Sequence, residues 1–473
     1  MTTDATETAA TPVASVRWVM VGLSLSMLLS SLGTSSSNVA LPALAEAFGV
    51  SFQQVQWVVL AYLLVITTLI VSVGRLGDIV GRRRLLLGGI ALFTFASVVC
   101  GLAPSFTLLV AARAVQGLGA AVMMALTMAF VGETVARERA GTAMGLLGTM
   151  SAIGTALGPS LGGALIAGSG WRAIFLVNVP LGLATLLVAL RHLPVERRAG
   201  QKARPEFDVP GTLLLALSLG AYALAMTAGR GSFGALNAAL VALAFVSLGL
   251  FLKVEARAAS PLIRLAMFRD AALSAGLSTN ALVSTVMMAT LVVGPFYLSR
   301  GAGLNAAEVG LVMSVGPVIS ALGGVVAGRI VDRLGTASVA IAGLLATVAG
   351  CVGLAFLPDV AGVAGYISGI ALLTPGYQLF QAANNTAVMA DVAADRRGVV
   401  SGLLNLSRNL GLVTGASLMG AIFAFAVGGD MTSAMPAAVA TGLKITFAVA
   451  ALLTLIALAI AAAARLSGRR SRS

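Results

Sequence analysis

Apolar runs long enough to cross a bilayer recur from one end of this chain to the other, separated by short stretches that hold its charges. A crossing needs about 20 apolar residues, and a chain with many such runs has few folds open to it. Inside hydrocarbon every backbone N–H and C=O must be bonded within the protein, so only helices or closed barrels can span. The runs here are continuous, without the alternation a barrel strand needs. Of the 473 residues, 58% are hydrophobic and 10% charged, against roughly 25% charged in ordinary soluble domains. The expectation is an all-α, polytopic membrane protein.

The octapeptide G-R-x-x-D-x-x-G occurs twice, as Gly74–Gly81 and Gly328–Gly335, each time directly after a long apolar run. A second register repeats too: Gly145-Leu-Leu, Gly154, Gly158 and Gly163 return as Gly402-Leu-Leu, Gly411, Gly415 and Gly420. Such self-similarity marks a duplicated membrane protein. Breaks at charges and at Pro or Gly divide the chain into spans at about 17–40, 52–74, 84–102, 106–132, 140–167 and 173–192. Two more fall at about 210–228 and 236–254. The last six fall at about 272–298, 307–329, 337–357, 362–389, 398–425 and 443–465.

Both registers displace the chain by eight spans rather than six. Two six-helix bundles, 17–192 and 272–465, therefore flank a region 193–271 that holds two inserted helices and their cytoplasmic linkers. That gives 14 transmembrane helices arranged 6 + 2 + 6, with tails at 1–16 and 466–473.

Charge placement fits this count. With the N-terminus inside, all of the 30 Lys and Arg fall on the cytoplasmic side except six. Arg172, Arg230, Arg300 and Lys444 lie outside, and Arg113 and Arg408 lie within spans. The asymmetry is that of the positive-inside rule, and a wrong count would flip alternate loops and erase it. The net charge of +13 is thus an orientation signal rather than a nucleic-acid footprint. Cys100 and Cys351 lie in apolar spans and read as small buried hydrophobes. No cleavable signal precedes the first span.

Three stretches carry chemistry or motion. In Gly74 to Arg84, Gly74 and Gly81 permit a sharp reversal. Asp78 can latch a neighbouring helix N-terminus or an arginine, while Arg82 and Arg83 anchor the loop at the anionic inner surface. Asp332 is the second copy's counterpart of Asp78. In the fourth span, Arg113 lies well inside the membrane, where an arginine needs a partner or a watery cavity, or must snorkel. Gln116 follows one turn on. In the fifth span, Gly154, Gly158 and Gly162 recur every four residues as a groove for backbone contact. Pro159 bends the helix there, and the Gly162–Gly163 pair suggests a moving contact.

These stretches give the chain its resemblance. It resembles the major facilitator superfamily, in particular the branch of fourteen-spanning drug:proton antiporters. The carriers are the loop from Gly74, Arg113 with Gln116 and Gly117, and Gly158-Pro159-x-x-Gly162-Gly163. Trp171 to Gly182 and Asn38 to Pro42 (N-V-A-L-P) add to it. The resemblance implies an exporter of drugs or other small amphipathic molecules, working by alternating access across the inner (plasma) membrane. It implies proton antiport, no cofactor, and a monomer with both termini cytoplasmic.

One departure bears on the substrate. Members of that branch often carry an aspartate in the first helix, where this chain has Gly33. None of its 17 Asp and Glu sits near a span centre; Glu133 and Asp391 come nearest. A buried carboxylate is the usual way to bind a cation and a proton in competition. Its absence, with Arg113 and Arg408 at depth, points to neutral, zwitterionic or anionic substrates. Asp78 and Glu133 are the acids left for proton coupling, and Asn38 is among the polar residues within spans. Two other readings compete: a dedicated exporter of one endogenous metabolite or lipid, and a non-transporting membrane receptor or scaffold. The sequence holds no metal cluster and no nucleophile–base pair, so an enzyme is not expected.

Overall fold

The computed structural model describes residues 13–135, 137–194, 208–228, 234–258, 261, 265–390, 392, 397–428 and 434–470. Within them a few side chains are not described, and the expected site residues Gly74, Asp78 and Glu133 fall in that set, as Asp391 falls outside the described residues altogether.

The described chain is helical. In order it holds α1 (Val13–Val39), α2 (Trp57–Val80), α3 (Arg82–Leu102), α4 (Phe106–Thr134), α5 (Arg137–Ser169) and α6 (Asn178–His192). Then come α7 (Val209–Thr227), α8 (Ala235–Glu255), α9 (Ala271–Phe296) and α10 (Ala306–Leu334). The segment Thr336–Ala390 is two helices, α11 and α12, meeting at Gly362, whose φ of 55° and ψ of −129° break the helix. The next helix, α13 (Arg397–Thr414), runs through a π turn (Gly415–Met419) into Gly420–Val427, and α14 is Pro436–Arg470. Twelve helices among the described residues are long and apolar enough to cross a membrane.

The exterior of this bundle is apolar, and polar side chains are buried inside it among an apolar core. Phe95, Leu187, Phe245 and Leu322 are exposed, while Arg113, Gln116, Asn280 and Thr347 are buried. Large exposed apolar surface of this extent is disfavoured in water and matched by lipid. Small residues then let helices meet at backbone distance. A Cβ at Gly117 of α4 would stand 2.6 Å from the Tyr62 carbonyl of α2, and one at Gly119 would stand 2.7 Å from Gly89 O of α3. In the C-terminal half, Gly343 of α11 stands in the same way against Phe380 N of α12.

Two turns expose the duplication in backbone form. Gly81, between α2 and α3, has φ +102°, and Gly335, between α10 and α11, has φ +79°. Both are the last glycine of the repeated octapeptide, and both need a conformation that L side chains rarely adopt. Gly81→Ala is expected to destabilise the protein by about 1–3 kcal/mol, read as a lower melting temperature in detergent. Gly88→Ala, at an open helical position, should leave it unchanged.

The α7–α8 pair touches both halves. On the N-terminal side, Ser72 Oγ pairs with Thr212 Oγ1 at 3.0 Å, and Trp57 Nε1 donates to Thr227 Oγ1 at 3.0 Å. On the C-terminal side Leu215, Leu219 and Phe251 pack with Leu273 and Leu277 of α9 and Leu403 and Leu406 of α13, and Tyr222 of α7 makes side-chain hydrogen bonds with Thr414 and Ser417. Directional joints thus hold the pair to α2 and to α13 with its π turn, and apolar packing holds it to α9.

Candidate functional site

The glycine run of α5 divides its work between two helices. Gly154 and Gly158 face α1, where a Cβ at Gly154 would stand 2.5 Å from Leu28 O and one at Gly158 would overlap Ser35 Oγ. Ser35 Oγ donates to Gly154 O at 3.1 Å, and Ser31 and Ser151 hydroxyls pair at 2.7 Å. Gly162 also faces α1, beside Ser36. These contacts lie within one half. Gly163 points the other way: a Cβ there would stand 2.7 Å from both Ala306 O and Gly310 Cα of α10. The carbonyl of Pro159 completes that contact, 2.7 Å from where a Cβ of Gly310 would be. The glycine run is therefore two surfaces, and of its residues only Gly163, with the carbonyl of Pro159, meets the opposite half.

The Gly163–Gly310 contact belongs to a seam at one end of the molecule. The connections α1–α2, α5–α6 and α9–α10 lie there, with the facing ends of α13 and α14, and we call this face, poor in basic residues, the outer face. Phe52, in the short helix Phe52–Val55 ahead of α2, meets Phe296 of α9 at 4.6 Å and Phe423, past the π turn of α13, at 5.4 Å between ring centroids. Arg300 Nη2 lies 3.4 Å from Glu46 Oε2, an exposed pair across the same seam. Toward the opposite face, Gly323, Gly324 and Gly328 of α10 have open space where a Cβ would stand. The seam is closed on its outer side.

Arg113 is wholly buried inside the N-terminal bundle rather than facing an open cavity. Its Nε donates to Val58 O of α2 at 2.8 Å, and its Nη1 donates to Gly33 O at 3.1 Å and to Gln116 Oε1 at 2.5 Å. Gln116 Nε2 donates in turn to Ser97 Oγ of α3 at 2.7 Å. The guanidinium lies 4.3 Å above the Tyr62 ring, and Tyr62 Oη donates to Ser30 O at 2.9 Å. Of the three fates open to an arginine at this depth, the structure has the partnered one, with carbonyls where a carboxylate would be usual. Gly33, at the position of the absent acid, supplies one of them. Substrate contact by Arg113 or Gln116 finds no opening in this conformation.

Other expected residues fall into two groups. Asn38 is buried and bonds its own helix through Thr34 O at 3.0 Å. Arg83 donates to Leu190 O at 2.8 Å and Leu193 O at 3.1 Å, capping the carboxyl end of α6, so it staples helices together as well as marking topology. Asp332 is exposed. Arg408 is half-buried on α13 and its Nε has no partner among the described residues. Residues 404, 407 and 411 of α13 are taken up by α9: Asn280 Nδ2 donates to Leu404 O at 3.0 Å, and Ser407 Oγ to Leu277 O at 2.5 Å. Arg408 is turned about 100° from Ser407, away from that contact. On α12, Gln378, Gln381 and Asn385 share one helical face at spacings of three and four and are not buried.

Sequence reasoning missed Phe52, Gln56, Tyr62, Ser97, Phe296 and Phe423. Tyr62 alone carried a signal, because a phenol within a span needs a partner.

Two repeated halves, polar groups buried between helices and a seam closed at one end are the build of a membrane transporter. The chain belongs to the major facilitator superfamily, whose model matches residues 23–416. It is similar to the multidrug resistance protein Stp of Mycobacterium tuberculosis (strain ATCC 25618 / H37Rv), 33% identical over 82% of this chain and 72% of Stp. It is also similar to the riboflavin transporter RibZ of Clostridioides difficile (strain 630), 29% identical over 86% of this chain and 88% of RibZ. In fold it is similar to a bacterial homolog of the human lysosomal transporter Spinster in an inward-facing, unoccupied conformation. The TM-score is 0.69 at 16% identity, covering 96% of this chain and 98% of that one.

Proposed function

We propose that this chain is a secondary active exporter of drugs or other small amphipathic molecules, working by alternating access across the inner (plasma) membrane. The observation that carries the reading is the Gly163–Gly310 contact, a backbone-to-backbone closure between the two halves on the outer side. Similarity to Stp adds export of drugs. The reading includes fourteen spans: the twelve apolar helices among the described residues, with the pair meeting at Gly362 counted as two, and α5. Both termini lie in the cytoplasm, where the basic loops then fall. One chain carries both halves, so the pseudo-twofold interface is internal and the working unit is a monomer.

The driving force in this reading is proton antiport. One charge moving down about 100 mV releases roughly 2.3 kcal/mol, enough to bias a cycle. Asp78 and Glu133 are the acids assigned to it. Arg408 and the amide face of α12 favour neutral, zwitterionic or anionic cargo over lipophilic cations. Similarity to RibZ favours a second reading, in which the cargo is one endogenous metabolite.

A panel of cationic, neutral and anionic compounds in proteoliposomes, under an imposed pH gradient, tests all of this. Transport of several unrelated neutral or anionic compounds is expected, collapsing when an uncoupler is added. Flux indifferent to the gradient would remove proton coupling. Transport of a single compound would select the dedicated exporter.

A further inference from the structure

The two repeat registers pair α5 with α13 and α2 with α10, so they also pair the contacts between them. Gly163 corresponds to Gly420, 257 positions on, and Gln56 corresponds to Gly310, 254 positions on. The outer seam thus contains two quasi-equivalent crossings. At one, Gly163 meets Gly310, backbone on backbone. At the other, Gly420 meets the side chain of Gln56, whose Nε2 lies where a Cβ of Gly420 would stand.

The second crossing is chemically odd. Gln56 is 1% exposed, and neither its Nε2 nor its Oε1 has a hydrogen-bond partner among the described residues. It sits four residues from Phe52, hence on the same helical side, beneath the cluster of Phe52, Phe296 and Phe423. A buried amide with no partner opposes the closed state, because water would satisfy both of its atoms as soon as the seam parts. The aromatic cluster favours closure. The Gly163–Gly310 crossing has no such opposition. Beside the α2–α13 crossing there is also room: an apolar cavity of about 450 Å³ lies between the α7–α8 pair and α13, lined by Gln53, Met226, Leu418, Ile422 and Phe425.

We propose that the outer gate opens unevenly, along the α2–α13 edge first, and that hydration of Gln56 sets its balance between closed and open. This rests on alternating access as the mode of transport. The α5–α10 edge acts as the hinge side, and an apolar residue at 56 holds the gate shut.

Paired spin labels in otherwise cysteine-free full-length protein, reconstituted in lipid, test this by distance measurement. One pair, at Ala47 and Met435, spans the α2–α13 edge; the other, at Ala167 and Leu311, spans the α5–α10 edge. Gln56→Leu is expected to lower the open population at the first pair on the order of tenfold, the scale of one unpartnered buried polar group, with the second pair unmoved. Gly420→Ala, which wedges against Gln56, is expected to raise it. Equal movement of both pairs in the wild type, or no response to Gln56→Leu, would overturn the uneven gate. No movement of either pair with substrate, pH or any variant would instead overturn alternating access itself.

Discussion

Gly163→Val is expected to slow transport by about 5–150-fold while leaving the protein folded and inserted. The atoms that a side chain at 163 would meet, Ala306 O and Gly310 Cα, are both backbone at 2.7 Å from the Cβ position. Neither can rotate aside, so α5 and α10 must separate. Overpacking of this kind costs about 1–3 kcal/mol, and here the cost falls on every state in which α5 meets α10, the sealed outer seam above all. A population shift of about 5–150-fold follows, and a cycle that must pass through the closed state slows in proportion. The interior of each half is untouched, because the α1 contacts run through Gly154, Gly158 and Gly162. Gly158→Ala is the contrast: overlap with Ser35 Oγ strains the N-terminal bundle itself and should lower its melting temperature. Flux in proteoliposomes, with thiol labelling of outer-face cysteines, separates the two. Wild-type flux in Gly163→Val with the outer face still sealed would remove this contact from the cycle.

The same glycines mark the reach of sequence reasoning. A four-residue glycine repeat beside a proline is legible as a packing groove, because spacing alone places Gly154, Gly158 and Gly162 on one face. Which helix fills the groove is not legible, since the partner surface on α1 is ordinary serine and leucine. The membrane helices are readable for a simple reason: hydrocarbon demands internal backbone bonding, length and apolarity, and a long continuous apolar run meets all three only as a helix. Arg113 was readable as a problem, a charge at depth, but its solution was not. Its acceptors are the carbonyls of Val58 and Gly33, and every residue has a carbonyl. Gln56 required both sources together, with the repeat naming Gly310 as its counterpart and the fold placing it unpartnered against Gly420.

Arg113→Ala is expected to eliminate transport with membrane insertion intact. Burying a guanidinium costs several kcal/mol after relaxation, and here the return comes from three acceptors on α1, α2 and α4 together with the Tyr62 face. Removing it relieves the buried charge, so the net loss of stability is smaller than the sum of the broken bonds. What remains is worse for register than for stability. Val58 O, Gly33 O and Gln116 Oε1 lose a donor that held three helices at one height; the two carbonyls keep their helical donors, and Gly33 O also keeps the Ser37 hydroxyl, so only the Gln116 oxygen is left unmatched, at about 1–3 kcal/mol. Arg113→Lys should not rescue, because one ammonium on a flexible stem does not reproduce a planar fork that reaches two backbones at once. The two variants should therefore appear in the membrane at wild-type level, bind α1 less firmly to α2 and α4, and fail to transport. Normal flux in Arg113→Lys would mean that the charge matters and the fork does not. Normal flux in Arg113→Ala would mean that this node stabilises the bundle without serving the cycle.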